Sequence, residues 1–262
     1  MIQLQHSIRL GLLGFTALLV ACATNVKPGD GTLRPSIQFQ SNELNPSNGG
    51  QLITAEALRP GDILLTADNG LNSAGIRFIT QSPVSHAVLY MGEQEVAEAV
   101  GEGIRRRSVA DLLADEVTIV AFRHPDFAPE HLVRMQAFVA KHLGQKYNYT
   151  GIMLQSPFVI ERRVCELPLI PSLVRDFCIR GIAAVQLGLG RSDQFFCSQF
   201  VLEAYRLAGL ALTNADPRLI SPADLLHMRE GDVPSVKIHQ ALLYVGHMKV
   251  PPESLAANKM TP

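Results

Sequence analysis

The chain is 262 residues long, 47% hydrophobic, 18% charged and 6% aromatic, an ordinary globular composition with room for one large domain or two small ones. It carries 23 basic against 24 acidic residues, a formal net charge of −1, so no basic excess exists to displace counterions and nucleic acid is excluded as an expected partner. Four cysteines are too few for a disulfide scaffold, and 20 glycines with 16 prolines point to neither collagen nor wholesale disorder.

Residues 1–21 read as an address label. Arg9 is their only fully charged side chain, and the apolar run Leu10 to Val20 is too short to span a bilayer but suits a signal-peptide core. The run ends in Leu19-Val20-Ala21-Cys22, which supplies small residues at a cut and a thiol just after it. This string resembles the lipobox of bacterial lipoproteins. The resemblance implies cleavage before Cys22, a diacylglycerol on its sulfur and a third acyl chain on its amine. Ala23 rather than Asp then implies the outer membrane, with the chain facing the periplasm of the cell envelope. An ordinary secretion signal, or an uncleaved anchor with a chance cysteine, is the alternative. Residues 22–51 carry Pro28, Pro35, Pro46 and several Gly, Ser and Asn without a hydrophobic period, so they read as a flexible tether. As a random coil, the 28 residues 23–50 span about 30 Å. The globular domain is expected over 52–250, with a C-terminal tail at 251–262.

Three pieces of that domain carry chemistry. In the first, Pro60-Gly61-Asp62 makes a turn that feeds a buried strand at Ile63-Leu64-Leu65. The second is Ser85-His86-Ala87-Val88-Leu89-Tyr90-Met91, followed by Glu95-Val96-Ala97-Glu98-Ala99-Val100, two strands with Gly92-Glu93-Gln94 as a three-residue hairpin loop. Pairing Met91 with Glu95 places His86 opposite Val100 and Val88 opposite Glu98. His86 and Glu98 are then diagonal neighbours on one sheet face, about 7–8 Å apart at the backbone, within reach of a carboxylate–imidazole contact. An even-length loop would put them on opposite faces, so the odd parity of the loop is part of the expectation.

The third piece is Phe196-Cys197-Ser198-Gln199-Phe200-Val201, opening a helix whose apolar positions Phe200, Val201, Ala204 and Ala208 share a face and which Gly209 ends. Ser192 or Asp193 is the expected cap. Cys197 falls at or just before the first turn, where free N–H groups and the positive dipole end favour a thiolate. A nearby imidazole would lower its pKa further and act as general base, and backbone N–H groups could hold an oxyanion. Alone, each piece is ordinary: a buried Cys is usually a small hydrophobe, a strand His a satisfied core residue, and a strand Glu a solvated one.

Their joint order is more specific. Arg59-Pro60-Gly61-Asp62-Ile63-Leu64, Ser85-His86-Ala87-Val88-Leu89-Tyr90, Val96-Ala97-Glu98-Ala99, Tyr147-Asn148-Tyr149, Phe196-Cys197-Ser198-Gln199-Phe200-Val201 and Ser221-Pro222-Ala223-Asp224-Leu225 run from about residue 58 to 225. Together they resemble the circularly permuted NlpC-type branch of the papain-like cysteine peptidases and amidases, in particular the YaeF-like bacterial lipoproteins, with YiiX-like proteins more distant. The resemblance implies an α+β fold, a small antiparallel barrel-like sheet packed against helices including the cysteine helix. It also implies Cys197 as nucleophile, His86 as base and Glu98 as the group that orients the imidazole. Gln199 stands where relatives often carry an acid, and no chemistry is expected of it.

His247, 50 residues after Cys197 in a strand-like run, is the alternative base, in the order of an unpermuted enzyme; only Glu253, beyond two prolines, lies near it. His124, His131, His142, His227 and His239 have no ligand-like spacing. No His-Glu-x-x-His, Cys-x-x-Cys or Gly-x-Ser-x-Gly string occurs, so neither metal nor cofactor is expected. Gly101-Glu102-Gly103 does not continue as a dinucleotide fingerprint.

Residues 151–190 interrupt this core as an apolar insertion broken by charges such as Glu161, Arg162 and Asp176. It suits amphipathic helices, for example Pro171 to Leu187, either as extra core or as a cap giving the cleft an apolar wall. With Cys22 lipidated and Cys197 reserved for catalysis, Cys165 and Cys178 remain in an oxidising compartment and are expected to pair, closing a loop of about 14 residues worth about 3 kcal/mol. Two buried free thiols are the alternative. The expected function is a lipid-anchored cysteine hydrolase acting on an amide bond, in cell-wall peptides by location and superfamily. An acyl or lipid amide hydrolase, or a non-catalytic peptide- or lipid-binding lipoprotein, is the competing reading.

Overall fold

A computed structural model describes residues 50–147, 158–167, 170–188, 195–229, 233 and 235–251, together with the backbone of two short strands at 24–27 and 36–39. The signal segment, Cys22, Ser192, Asp193 and Glu253 lie outside the described residues. Within the segment expected to be a tether, β1 (Thr24–Lys27) and β2 (Ser36–Phe39) pair antiparallel with Val26 opposite Ile37. Facing β-branched residues suit such a ribbon, which the turn-rich composition around them conceals.

The domain proper is built from β3 (Ile63–Ala67), α1 (Leu71–Thr80), β4 (His86–Gly92), β5 (Glu95–Val100), β6 (Gly103–Ser108), α2 (Val109–Asp115), β7 (Thr118–Arg123), α3 (Pro129–His142), α4 (158–165), α5 (Ser172–Gly188), α6 (Cys197–Ala208), α7 (Pro222–His227) and β8 (Leu243–Lys249). Its strands form one antiparallel sheet in the order β6-β5-β4-β3-β7-β8, and the architecture is α+β. β3 lies mid-sheet and is buried along its whole length, which is why it reads as an unbroken apolar run rather than an alternating one. Ile63, Leu65, Ala87, Leu89, Val120 and Phe122 face the larger core, against Phe200, Val201, Ala204 and Tyr205 of α6 and Met135 and Phe138 of α3. Leu64, Val88, Val96, Ile119 and Ala121 face the other way, under Val109 and Leu112 of α2.

The Pro60-Gly61-Asp62 turn is pinned from three sides. Asp62 is buried, accepts from the Arg59 N–H at 2.8 Å and pairs with Arg123 at 2.6 Å, while the Tyr205 hydroxyl donates to the Gly61 carbonyl. Gly61 has φ +92° and Phe127 packed where a Cβ would sit, so no other residue fits there without strain.

The hairpin that carries His86 and Glu98 turns differently from the three-residue loop the sequence suggests. Glu93 and Gln94 form a two-residue turn with φ 52° and 60°, and Gly92 rather than Met91 faces Glu95. An irregularity between Tyr90 and Gly92 then absorbs one residue, so that Tyr90 faces Val96 and Leu89 faces Ala97. Beyond the bulge the pairing is therefore the one that puts His86 and Glu98 on one face.

The insertion supplies α4 and α5. Cys165 and Cys178 are joined, with Cα atoms 5.9 Å apart. Arg162 of α4 is buried, binds Asp224 through both terminal nitrogens at 3.0 Å and pairs with Glu166 at 2.8 Å. Asp224 in turn accepts from the N–H of Ser221, whose hydroxyl caps α7 by accepting from the Asp224 N–H. A buried ion network thus ties the insertion to the Ser221-Pro222-Ala223-Asp224 motif. Among the described residues, no helix is long and apolar enough to cross a membrane.

Candidate active site

Cys197 is the first residue of α6, after an extended Phe196 that offers no side-chain cap. Helix geometry leaves the N–H groups of that first turn without partners inside the helix. His86 is the first residue of β4, facing Thr66 at the end of the sheet, and α6 packs across β4 and β5. That crossing sets the sulfur against the imidazole, in hydrogen-bonding contact. On the other side His86 Nε2 meets Glu98 Oε2 at 2.9 Å, so Nδ1 is the nitrogen left for Cys197. The Glu98 side chain is wholly buried.

Glu98 is fixed by more than the histidine. Arg105 Nε reaches its Oε1 at 3.0 Å and Arg107 Nε at 2.8 Å, and Arg107 also pairs with Glu116 and Asp115. Both arginines come from β6, whose register sets Arg105 directly opposite Glu98. The sequence reading passed over them. The signal was present in Gly103-Ile104-Arg105-Arg106-Arg107-Ser108: with Gly101-Glu102 as a two-residue turn, odd-numbered arginines fall on the Glu98 face.

These contacts set the charges. Burial opposes ionisation of all three groups, and each is ionised by its neighbours. For His86, the Cys197 sulfur and the Glu98 carboxylate outweigh burial and raise its pKa to about 10. For Glu98, His86 with Arg107 and Arg105 outweigh burial and lower it to about 2. For Cys197, burial alone would push the thiol up, but His86 and the N–H groups of Ala87 and Ser198 hold it below its ordinary value. The arrangement favours a thiolate–imidazolium pair rather than a neutral thiol and imidazole.

A cleft of about 640 Å³ opens on these groups. One wall is α1, through Leu71, Ile76 and Ile79; Arg105, Glu116 and Tyr147 line it as well. No described residue of the insertion lines it, so among the described residues the apolar wall comes from α1 instead. Among the described residues, Cys197 is the one free cysteine, and no cluster of three or more His, Cys, Asp or Glu could hold a metal ion.

The structure does not bring His247 to Cys197. His247 lies on β8, beyond β3 and β7 from the histidine strand, and does not line the cleft. Its Nδ1 contacts the Tyr244 hydroxyl at 2.7 Å and its backbone binds Gln51 and Ile53. Burial, with Arg229 nearby, lowers its pKa to about 4.

No protein-family model matches the chain. Over 243 residues it is 36% identical to the Escherichia coli (strain K12) protein named probable lipoprotein peptidase YaeF, a match covering 88% of this chain and 89% of that protein. The chain belongs to the YaeF family. In this YaeF-family chain the Cys197–His86–Glu98 cluster and its two arginines are drawn from α6, β4, β5 and β6. Among solved structures it is similar to that of the metalloprotein yiiX from Escherichia coli O157:H7, at 16% identity and a TM-score of 0.40, covering 76% of this chain and 91% of that one.

Proposed function

We propose that this YaeF-family chain is a lipid-anchored cysteine hydrolase of the cell envelope that cleaves an amide bond. The observation that carries this reading is the hydrogen-bonded line from Cys197 through His86 to buried Glu98, at the mouth of a cleft. Cys197 as thiolate attacks the carbonyl carbon, and the oxyanion so formed is met by N–H groups of the first turn of α6. The His86 imidazolium passes its proton to the leaving amine as the C–N bond breaks, leaving a thioester on Cys197. Water, losing a proton to the now neutral His86, attacks the thioester and releases the carboxylic acid. Glu98 stays ionised throughout and holds the imidazole in the tautomer and orientation that serve the sulfur.

Chain order, with His86 and Glu98 ahead of Cys197, supports a circularly permuted papain-like arrangement of the α+β fold. Residues 1–21 act as signal peptide and Cys22 as the lipidated residue, with the outer membrane as site. This reading is supported by the lipobox-like string and by the name lipoprotein that the Escherichia coli relative carries. Cell-wall peptides are the substrate class that this location suits. The apolar α1 wall favours a second reading, an amide bearing an acyl chain.

The test is alkylation of the protein by iodoacetamide across pH with intact-mass analysis, beside turnover assays on muropeptides and N-acyl amides. Fast modification of Cys197 at pH 6 together with turnover of either panel is expected. A wild type that turns over neither, alongside a Cys197→Ala protein that binds one of them, would replace the enzyme with a binding module.

A further inference from the structure

We propose that the outward apolar stripes of α1 and α5 dock on the bilayer that holds the chain's own lipid anchor, so that the Cys197 cleft opens at the membrane surface. The inference rests on the lipid-anchor reading above. A surface helix ordinarily turns its charges outward. The outward stripe of α1 is instead Leu71, Ala74, Gly75 and Phe78, with Leu71 92% and Phe78 78% exposed. Helix α5 buries Ile179 against Phe158 and Cys165, yet leaves Leu173 83% and Phe177 81% exposed on another side. Isolated exposed apolar residues need no explanation, but two aromatic-bearing stripes on helices joined through a third do. Helix α4 links them: Arg163 donates to the Thr80 carbonyl at the end of α1, and Cys165 is bonded to Cys178 of α5.

Charge and chain length select a bilayer as the occupant. Arg77, Arg163, Arg175 and Arg180 accompany the stripes against Glu161 and Asp176, a basic excess of the sign that anionic lipids attract. Cys22 stands 28 residues before Gly50, a stretch that reaches no more than about 100 Å at full extension and that the β1–β2 pairing folds back on itself. An anchored domain therefore meets the membrane at a high effective concentration, and a weak apolar face suffices to seat it. Since α1 also walls the cleft, docking sets the cleft entrance where a membrane-borne substrate arrives.

The chain has no tryptophan, so Phe177→Trp and Phe78→Trp each install a single reporter. The full-length protein is produced with its signal segment and its acylation at Cys22 is read by mass. It is then reconstituted into phosphatidylethanolamine–phosphatidylglycerol vesicles with or without acyl-brominated phosphatidylcholine. Both reporters should be blue-shifted and quenched roughly twofold, more by bromine near the headgroups than deep in the chains, because interfacial faces sink only about 5–10 Å. Val133→Trp, on α3, should not respond. Acylated protein whose two reporters ignore bromine overturns the docking and leaves the anchor standing. Such a protein that also cross-links into dimers assigns the stripes to a second copy, which overturns it equally. Protein without acyl chains overturns the anchor, and with it the docking as stated.

Discussion

His86 and His247 sit in the same sheet, each on a strand and each with a hydrogen-bonding partner on its ring, yet at neutral pH the first is a cation and the second is uncharged. His86 has a sulfur on one side and a carboxylate on the other, and its pKa rises to about 10. His247 has a tyrosine hydroxyl and Arg229 nearby, and its pKa falls to about 4. Burial disfavours the charge in both, so the difference lies in the partners alone. A buried histidine is thus a base in waiting or a structural wedge according to what faces it, and the nearness of a cysteine in sequence does not decide which.

The largest break in this comparison comes from the sulfur itself. Cys197→Ala should abolish turnover, by roughly 10⁴-fold or more, because the nucleophile and its covalent intermediate are lost together. It should also let the His86 pKa fall toward that of a histidine facing Glu98 alone, read from its imidazole resonance by NMR. Persistent turnover in this variant would remove Cys197 from the chemistry.

Next come the two histidines as alanine variants, with alkylation at pH 6 as the readout. Without His86, burial governs the thiol and pushes its pKa back up, so the thiolate fraction at pH 6 and the labelling rate should fall by more than about tenfold. His247→Ala should label like wild type. The reverse pattern would transfer the role of base to His247. In wild type, NMR titration should find the His86 ring still protonated at pH 8 and the His247 ring still neutral at pH 6.

The same groups give stability a pH dependence. His86 has its pKa raised, so its contribution is full below about 6.5 and is lost as pH rises through about 10. Glu98 has its pKa lowered, so its contribution is full above about 4.5 and is lost as pH falls through about 2. Thermal melts should fall toward both extremes. Glu98→Gln should blunt both slopes and cost about 3–5 kcal/mol at pH 7, because Arg105 and Arg107 lose a buried counter-charge. A melting profile that Glu98→Gln leaves unchanged would refute this account.

What the sequence revealed of this site follows one rule: strand parity is local, and sheet order is not. The facing of His86 and Glu98 was legible because side chains alternate with period two, even though the turn is two residues with a bulge rather than three. The same arithmetic carried one strand further reaches Arg105 and Arg107. That β8 lies beyond β3 and β7 from β4, by contrast, depends on pairings between distant segments that no local pattern records. Helix α1 escaped notice because its apolar stripe faces outward, so its periodicity names no core. The Arg162–Asp224 bridge joins residues 62 apart and left no mark in either segment alone.

The smallest effects separate two ways of holding the insertion. Arg162→Met removes a buried cation from Asp224 and Glu166 and should cost about 3–5 kcal/mol, since two carboxylates are left without their counter-charge. Asp224, whose pKa that arginine and the Ser221 cap hold down against burial, should then titrate higher, so the variant weakens further as pH rises through the usual carboxylate range. Cys165→Ala/Cys178→Ala should cost less, about 3 kcal/mol, because it frees only a loop with sequence separation 13 in the unfolded chain. Neither pair touches the cleft, so alkylation of Cys197 at pH 6 should keep its wild-type rate in both variants as long as they remain folded. If alkylation slows in the Arg162 variant while the disulfide variant stays fast, the ion network reaches the thiolate through α7 and α6, and the insertion belongs to the working site as well as to its support.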